Sequence, residues 1–146
     1  MRLWHIDLLP YLPDLQFKGQ LRELVAIMHD WRDKGKTNHL LINRVMDYPK
    51  SELSTYFHHY LLAYYERYNK DLPFKTVKEF EEFSPYYFEI SEPIYEDWHD
   101  KDYLRVCMAN LYEKHEFGLG NSRITYAEWK RLLDGYEAIT GEEYKI

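Results

Sequence analysis

Asp14-Leu15-Gln16-Phe17-Lys18-Gly19-Gln20-Leu21-Arg22-Glu23-Leu24-Val25-Ala26-Ile27-Met28 is the stretch on which the fold turns. Leu15, Leu21, Leu24, Val25 and Met28 supply apolar positions at the spacings of three and four that share a helical face. Asp14 is placed to cap the helix, and Gly19 weakens it by up to about 1 kcal/mol relative to alanine. Upstream, Pro10 and Pro13 push the residues before them away from helical geometry, so residues 1–13 are expected to be extended or irregular. Downstream, Asp33-Lys34-Gly35-Lys36 reads as the helix end and a polar turn.

The same reading continues along the chain. Asn38 to Met46 is a short helix with Leu40, Leu41, Ile42 and Val45 inward, closed before Pro49. Ser51 is expected to cap the next helix, which runs to about Tyr68 and buries Leu53, Phe57, Tyr60, Leu61 and Tyr64. Thr76-Val77-Lys78-Glu79 matches a capping box. Pro85 and Pro93 make the stretch from Ser84 to Trp98 irregular. Asp100 caps a helix to about Phe117, with Leu104, Cys107, Met108 and Leu111 inside. Thr125-Tyr126-Ala127-Glu128 is a second capping box. It opens a final helix carrying Trp129, Leu132, Leu133 and Tyr136 and ending near Gly141. No stretch alternates as a strand does. The expected fold is all-α, one domain over residues 1–146.

Composition narrows the function classes. The single cysteine, Cys107, rules out an internal disulfide and a cysteine-rich zinc site. The start lacks a signal-peptide core and no window is apolar enough to span a membrane, so a cytoplasmic protein is expected; a monomer is expected as well. Tyr contributes 15 of the 146 residues; packing is the commoner use of such rings and base stacking the rarer one. The net charge of -6 argues against nucleic acid. Its distribution is uneven. Residues 1–50 hold eight basic against six acidic side chains, whereas residues 51–146 hold eleven against nineteen. A surface that meets an anion is therefore expected in the N-terminal third.

The seven histidines do not have chelating spacing: His58-His59 are adjacent, and neither His99 nor His115 has a ligand partner four residues away. No phosphate-cradling glycine loop or nucleophile elbow is present. No metal or cofactor is expected. Arg22-Glu23, taken alone, reads as a charged pair on a solvated helix face.

The surroundings of that pair carry more. Met1-Arg2-Leu3-Trp4-His5-Ile6-Asp7-Leu8-Leu9-Pro10-Tyr11-Leu12-Pro13 is followed by Gly19-Gln20-Leu21-Arg22-Glu23, by Asn38-His39 and by Met46-Asp47-Tyr48-Pro49. With His99 to Leu104 and Asn110 to Lys114, this run resembles the pyrimidine-dimer DNA glycosylase family, to which phage endonuclease V is related. The resemblance implies the helical plan of endonuclease V and repair of double-stranded DNA containing damaged bases, by glycosylase and AP-lyase chemistry. It implies that the chain's α-amine is the nucleophile, attacking the sugar carbon that bears the damaged base and forming a Schiff base. A bulky second residue keeps the initiator methionine, so the amine is that of Met1. Glu23 matches the family's catalytic glutamate, which moves protons during ring opening and β-elimination. Arg2 and Arg22 match arginines that grip the DNA backbone.

Charge extends the expected DNA-binding set to Arg2, Arg22, Arg32, Lys34, Lys36 and Arg44. Gln16 and Ala26 stand where the phage enzyme has a functional histidine and a DNA-contacting arginine. The alternative function is a non-catalytic protein of the same fold that binds nucleic acid or another partner through its helices.

Overall fold

The structure, a computed structural model, describes residues 2–35 and 39–146. Its helices are α1 (Asp14–Asp33), α2 (Leu40–Met46), α3 (Lys50–Tyr68), α4 (Phe74–Phe83), α5 (Lys101–Glu116) and α6 (Tyr126–Thr140), with 3-10 turns at Ile6–Tyr11 and Gly120–Ser122. No strand occurs among the described residues, so the all-α expectation is met. No described helix is long and apolar enough to cross a membrane.

The chain divides into two units, one of Met1–Leu3 with Gly19–Glu96 and one of Trp4–Lys18 with Asp97–Ile146. In the first, α1 buries Leu24, Ile27 and Met28, and α3 buries Leu53, Tyr56, Phe57 and Tyr60. Each such side chain contributes roughly 1.5–3 kcal/mol when taken from water. Phe57 of α3 stacks on Phe80 of α4 with centroids 3.8 Å apart. Trp31 meets Phe83 edge-on at 5.4 Å. In the irregular segment after α4, Tyr95 is fully buried against the ring of Tyr48, and Glu52 accepts its backbone N–H at 2.9 Å.

Several expectations about these elements are corrected. Leu15 is 52% exposed and Leu40 85% exposed. Leu15 lies six residues before Leu21, off the phase set by Leu24, Ile27 and Met28; Ile42 and Val45 turn α2 so that Leu40 faces out. Asp14 is the first residue of α1, not its cap. The Pro13 carbonyl accepts the first bond, from Phe17 at 2.9 Å, and Asp14 pairs with Lys18 at 3.0 Å. Ser51 and Thr76 are likewise inside their helices, because Pro49 and Pro73 supply the cap positions of α3 and α4. A residue before a helix needs only a free carbonyl and an extended ψ to begin it. Proline fulfils both without any side-chain acceptor.

In the second unit, local signals hold. Asp100 caps α5 by accepting the Tyr103 N–H at 2.8 Å. Thr125 and Glu128 form both bonds of the capping box that opens α6. Residues 6–11, expected to be irregular, form a 3-10 turn with Pro10 inside it. Its 2.9 Å bond from Leu8 N–H to the His5 carbonyl is the short-range pattern a proline-containing segment still permits. Two buried imidazoles fix its start. His5 Nδ1 accepts the Asp7 N–H and His99 Nδ1 accepts the Ile6 N–H, both at 3.1 Å, and the two rings stack at 5.3 Å. The turn rests on α6, where Gly135 lies so close to the Tyr11 ring that a Cβ would stand 2.5 Å from it.

Candidate active site

Gln20 and Glu23 are three residues apart on α1, so their side chains leave one face a turn apart. Arg2 is held against that face. The Arg2 N–H donates to Glu23 Oε2 at 2.9 Å. Gln20 Nε2 donates to the Arg2 carbonyl at 2.9 Å and to Glu23 Oε2 at 3.3 Å. The hydroxyl of buried Tyr56, on α3, donates to Gln20 Oε1 at 3.2 Å. Both main-chain polar groups of Arg2 are thus fixed by side chains, and the Glu23 carboxylate is anchored through one oxygen. Its other oxygen, Oε1, accepts no bond from the described residues, so this carboxylate can take up and return a proton without leaving its anchor.

The structure therefore brings Arg2 and Glu23 together, 21 residues apart in sequence. Met1 lies outside the described residues, as does Lys36. Arg2 is half-buried. Arg22 is exposed on α1, its guanidinium directed back along the helix so that a Cβ at Gly19 would stand 3.5 Å from Nη2. No carboxylate among the described residues forms an ion pair with Arg22.

The other expected DNA contacts are differently placed. Arg32 makes a two-pronged bridge to Asp33, at 2.7 and 3.0 Å, and reaches Glu79 of α4 at 3.3 Å. Hydrogen bonding to Asp33 raises the guanidinium pKa further above its already high value. Glu79 also takes a 2.7 Å bond from His29, and that bond, before Arg32's contribution, holds its carboxyl below the usual range. Lys34 pairs with Asp30 at 3.5 Å. Arg44 is exposed in the last turn of α2. Arg32 and Lys34 thus do not present unopposed charge, because acidic neighbours on α1 and α4 answer them.

Sequence reading did not single out Gln20 or Tyr56 as parts of this site. A signal existed for Gln20: it is a polar amide four residues before Leu24, in phase with the buried face of α1. Tyr56 gave none, since one tyrosine among fifteen is indistinguishable from the rest without the fold.

The sequence profile described as pyrimidine dimer DNA glycosylase matches residues 1–76, just over half of the 146. That span contains Arg2, Gln20, Arg22, Glu23 and Tyr56. Neither the curated proteins nor the solved structures contain a match to the chain.

Proposed function

The chain belongs to the pyrimidine dimer DNA glycosylase family, and from that premise we propose that it excises pyrimidine dimers from double-stranded DNA and cleaves the strand as an AP lyase. The nucleophile is the α-amine of Met1 and the acid–base group is Glu23. The observation that carries this reading is the 2.9 Å bond from the Arg2 N–H to the Glu23 carboxylate. Three covalent bonds separate the residue-1 nitrogen from the Arg2 nitrogen, a span of at most about 4 Å. A sugar carbon attacked by that amine is therefore within reach of Glu23 for proton transfer.

The steps balance with these two groups. An α-amine titrates near 7.7–8.0 in model peptides, so a useful share is neutral at neutral pH. Its lone pair forms a bond to the sugar C1′, and the base departs with the electrons of the glycosidic bond. Loss of the amine proton and protonation of the ring oxygen open the sugar to the Schiff base, and Glu23 relays the proton. Glu23 then removes a proton from C2′, the electrons form a C2′–C3′ double bond, and the 3′ phosphate leaves. Water hydrolyses the Schiff base and restores the amine. Chemistry at C1′ requires the nucleotide to be drawn from the stack. Arg22, exposed one residue from Glu23, is suited to a phosphate near the opened site.

Borohydride reduction during reaction with a duplex bearing one cyclobutane dimer tests the proposal. The expected result is a covalent protein–DNA adduct that disappears when the terminus is acetylated. Absence of an adduct with the unmodified protein, while it binds the duplex, would support the binding protein without chemistry.

A further inference from the structure

Gln20 has no exposed surface, yet it lies on the face of α1 that otherwise presents Leu24 and Ile27 to the core. A buried amide left without partners costs roughly 1–3 kcal/mol, so a leucine would be the simpler residue for packing alone. All of this amide's orientation is dictated by its surroundings. The Arg2 carbonyl and the Glu23 carboxylate only accept, so the NH2 group must face them. That leaves Oε1 toward Tyr56, whose hydroxyl must donate. A reversed amide would set its oxygen against two acceptors.

Resting on the function proposed above, we infer that Gln20 is a positioning residue for the reaction, oriented by Tyr56, and that Glu23 Oε1 is the oxygen that carries the proton. Both donors of the clasp, the Arg2 N–H and Gln20 Nε2, converge on Oε2. A proton arriving at Oε2 would have to displace one of them. A proton arriving at Oε1 leaves the clasp whole, so the carboxylate can cycle while the Arg2 peptide stays in register. Gln20 bonds both the Arg2 main chain and Glu23, and so sets their spacing.

The test uses Gln20→Met, which keeps length and volume but removes both donors, and Tyr56→Phe, which removes only the hydroxyl. Three quantities are read in the intact protein: hydrogen exchange of the Arg2 amide, affinity for dimer-containing duplex, and the single-turnover rate of borohydride trapping. Gln20→Met should accelerate Arg2 exchange, leave affinity within about threefold, and slow trapping by roughly 10–100-fold, since a misplacement of reacting groups by about 1 Å can cost about 10²-fold. Tyr56→Phe should slow trapping less, and the double variant should be no slower than Gln20→Met alone, since the two act in one chain. Faster Arg2 exchange with an unchanged trapping rate would make Gln20 a tether only and overturn the inference, as would unchanged exchange. If Gln20→Met does not fold, Tyr56→Phe trapping at the wild-type rate overturns it. A wild-type protein that binds the duplex and never traps overturns the proposed function itself, and the inference with it; the exchange measurement, which needs no DNA, tells that failure apart from a clasp that does not depend on Gln20.

Discussion

Glu23 anchors the Arg2 main chain through Oε2, and the proposed reaction assigns proton transfer to Oε1 of the same carboxylate. Glu23→Gln separates the two roles. The amide oxygen still accepts the Arg2 N–H, so duplex affinity should persist within a few-fold, whereas strand cleavage should fall by about 10²–10⁴-fold, the usual worth of a general acid–base group. Gel-resolved cleavage beside a binding titration reads both; cleavage at the wild-type rate removes Glu23 from the chemistry. Gly19, on the same helix, is expected to be dispensable. A methyl there makes an ordinary 3.5 Å contact with the end of the flexible Arg22 side chain. Gly19→Ala should therefore raise stability by up to about 1 kcal/mol through helix propensity, and a lower denaturation midpoint would contradict this. At this scale the sequence was legible only through the family resemblance: beside Arg22 alone, Glu23 reads as half of a charged pair on a solvated helix face. It was not legible for Tyr56, whose hydrogen-bond partner Gln20 lies 36 residues away.

Elements were readable where the deciding bonds are local. The Asp100 cap and the Thr125–Glu128 capping box span three residues each, so the sequence contains the whole interaction. Leu15 and Leu40 misled because the face a helix buries is set by what packs on it, and those partners are distant in sequence. Thr125→Ala should cost about 1 kcal/mol, as loss of a hydroxyl cap does, measurable by urea denaturation. The 3-10 turn makes a sharper prediction. Burial holds the His5 pKa below its ordinary value, outweighing the pull of Asp7 and Asp100 toward protonation. The folded protein then binds fewer protons than the unfolded chain just below the unfolded histidine pKa of about 6.5. Stability contributed by neutral His5 is complete above that pH and is lost as pH falls through it toward the folded value. Protonation also removes the Nδ1 acceptor used by the Asp7 N–H. His5→Asn keeps an acceptor for that N–H and cannot titrate, so its melting temperature should fall less between pH 7 and pH 5 than that of the wild type. Equal falls would show that His5 does not govern acid sensitivity.

Across the whole molecule, charge is the property the sequence described least well. The N-terminal third is the more basic part, as counted, but Arg32 and Lys34 spend their charge on Asp33, Glu79 and Asp30. A count does not show this, because Glu79 is 47 residues from Arg32. DNA binding should reflect the difference. Arg22→Ala should reduce the slope of log affinity against log salt by about 1, the value of one phosphate contact. Arg32→Ala and Lys34→Ala should change it little, and a reduction by Arg32→Ala equal to that of Arg22→Ala would refute the assignment. The all-α class was legible throughout, from helical spacing and the absence of strand alternation, while the contact between Arg2 and Glu23, 21 residues apart, is visible only in the fold. The central claim is that the chain's own terminus is the nucleophile. Its most direct test is to locate the sugar after borohydride trapping on dimer-containing duplex, by nuclease digestion and peptide mass spectrometry. The account predicts the deoxyribose remnant on the α-nitrogen of the N-terminal peptide. A remnant on a lysine side chain, with the terminal amine unmodified, would contradict it.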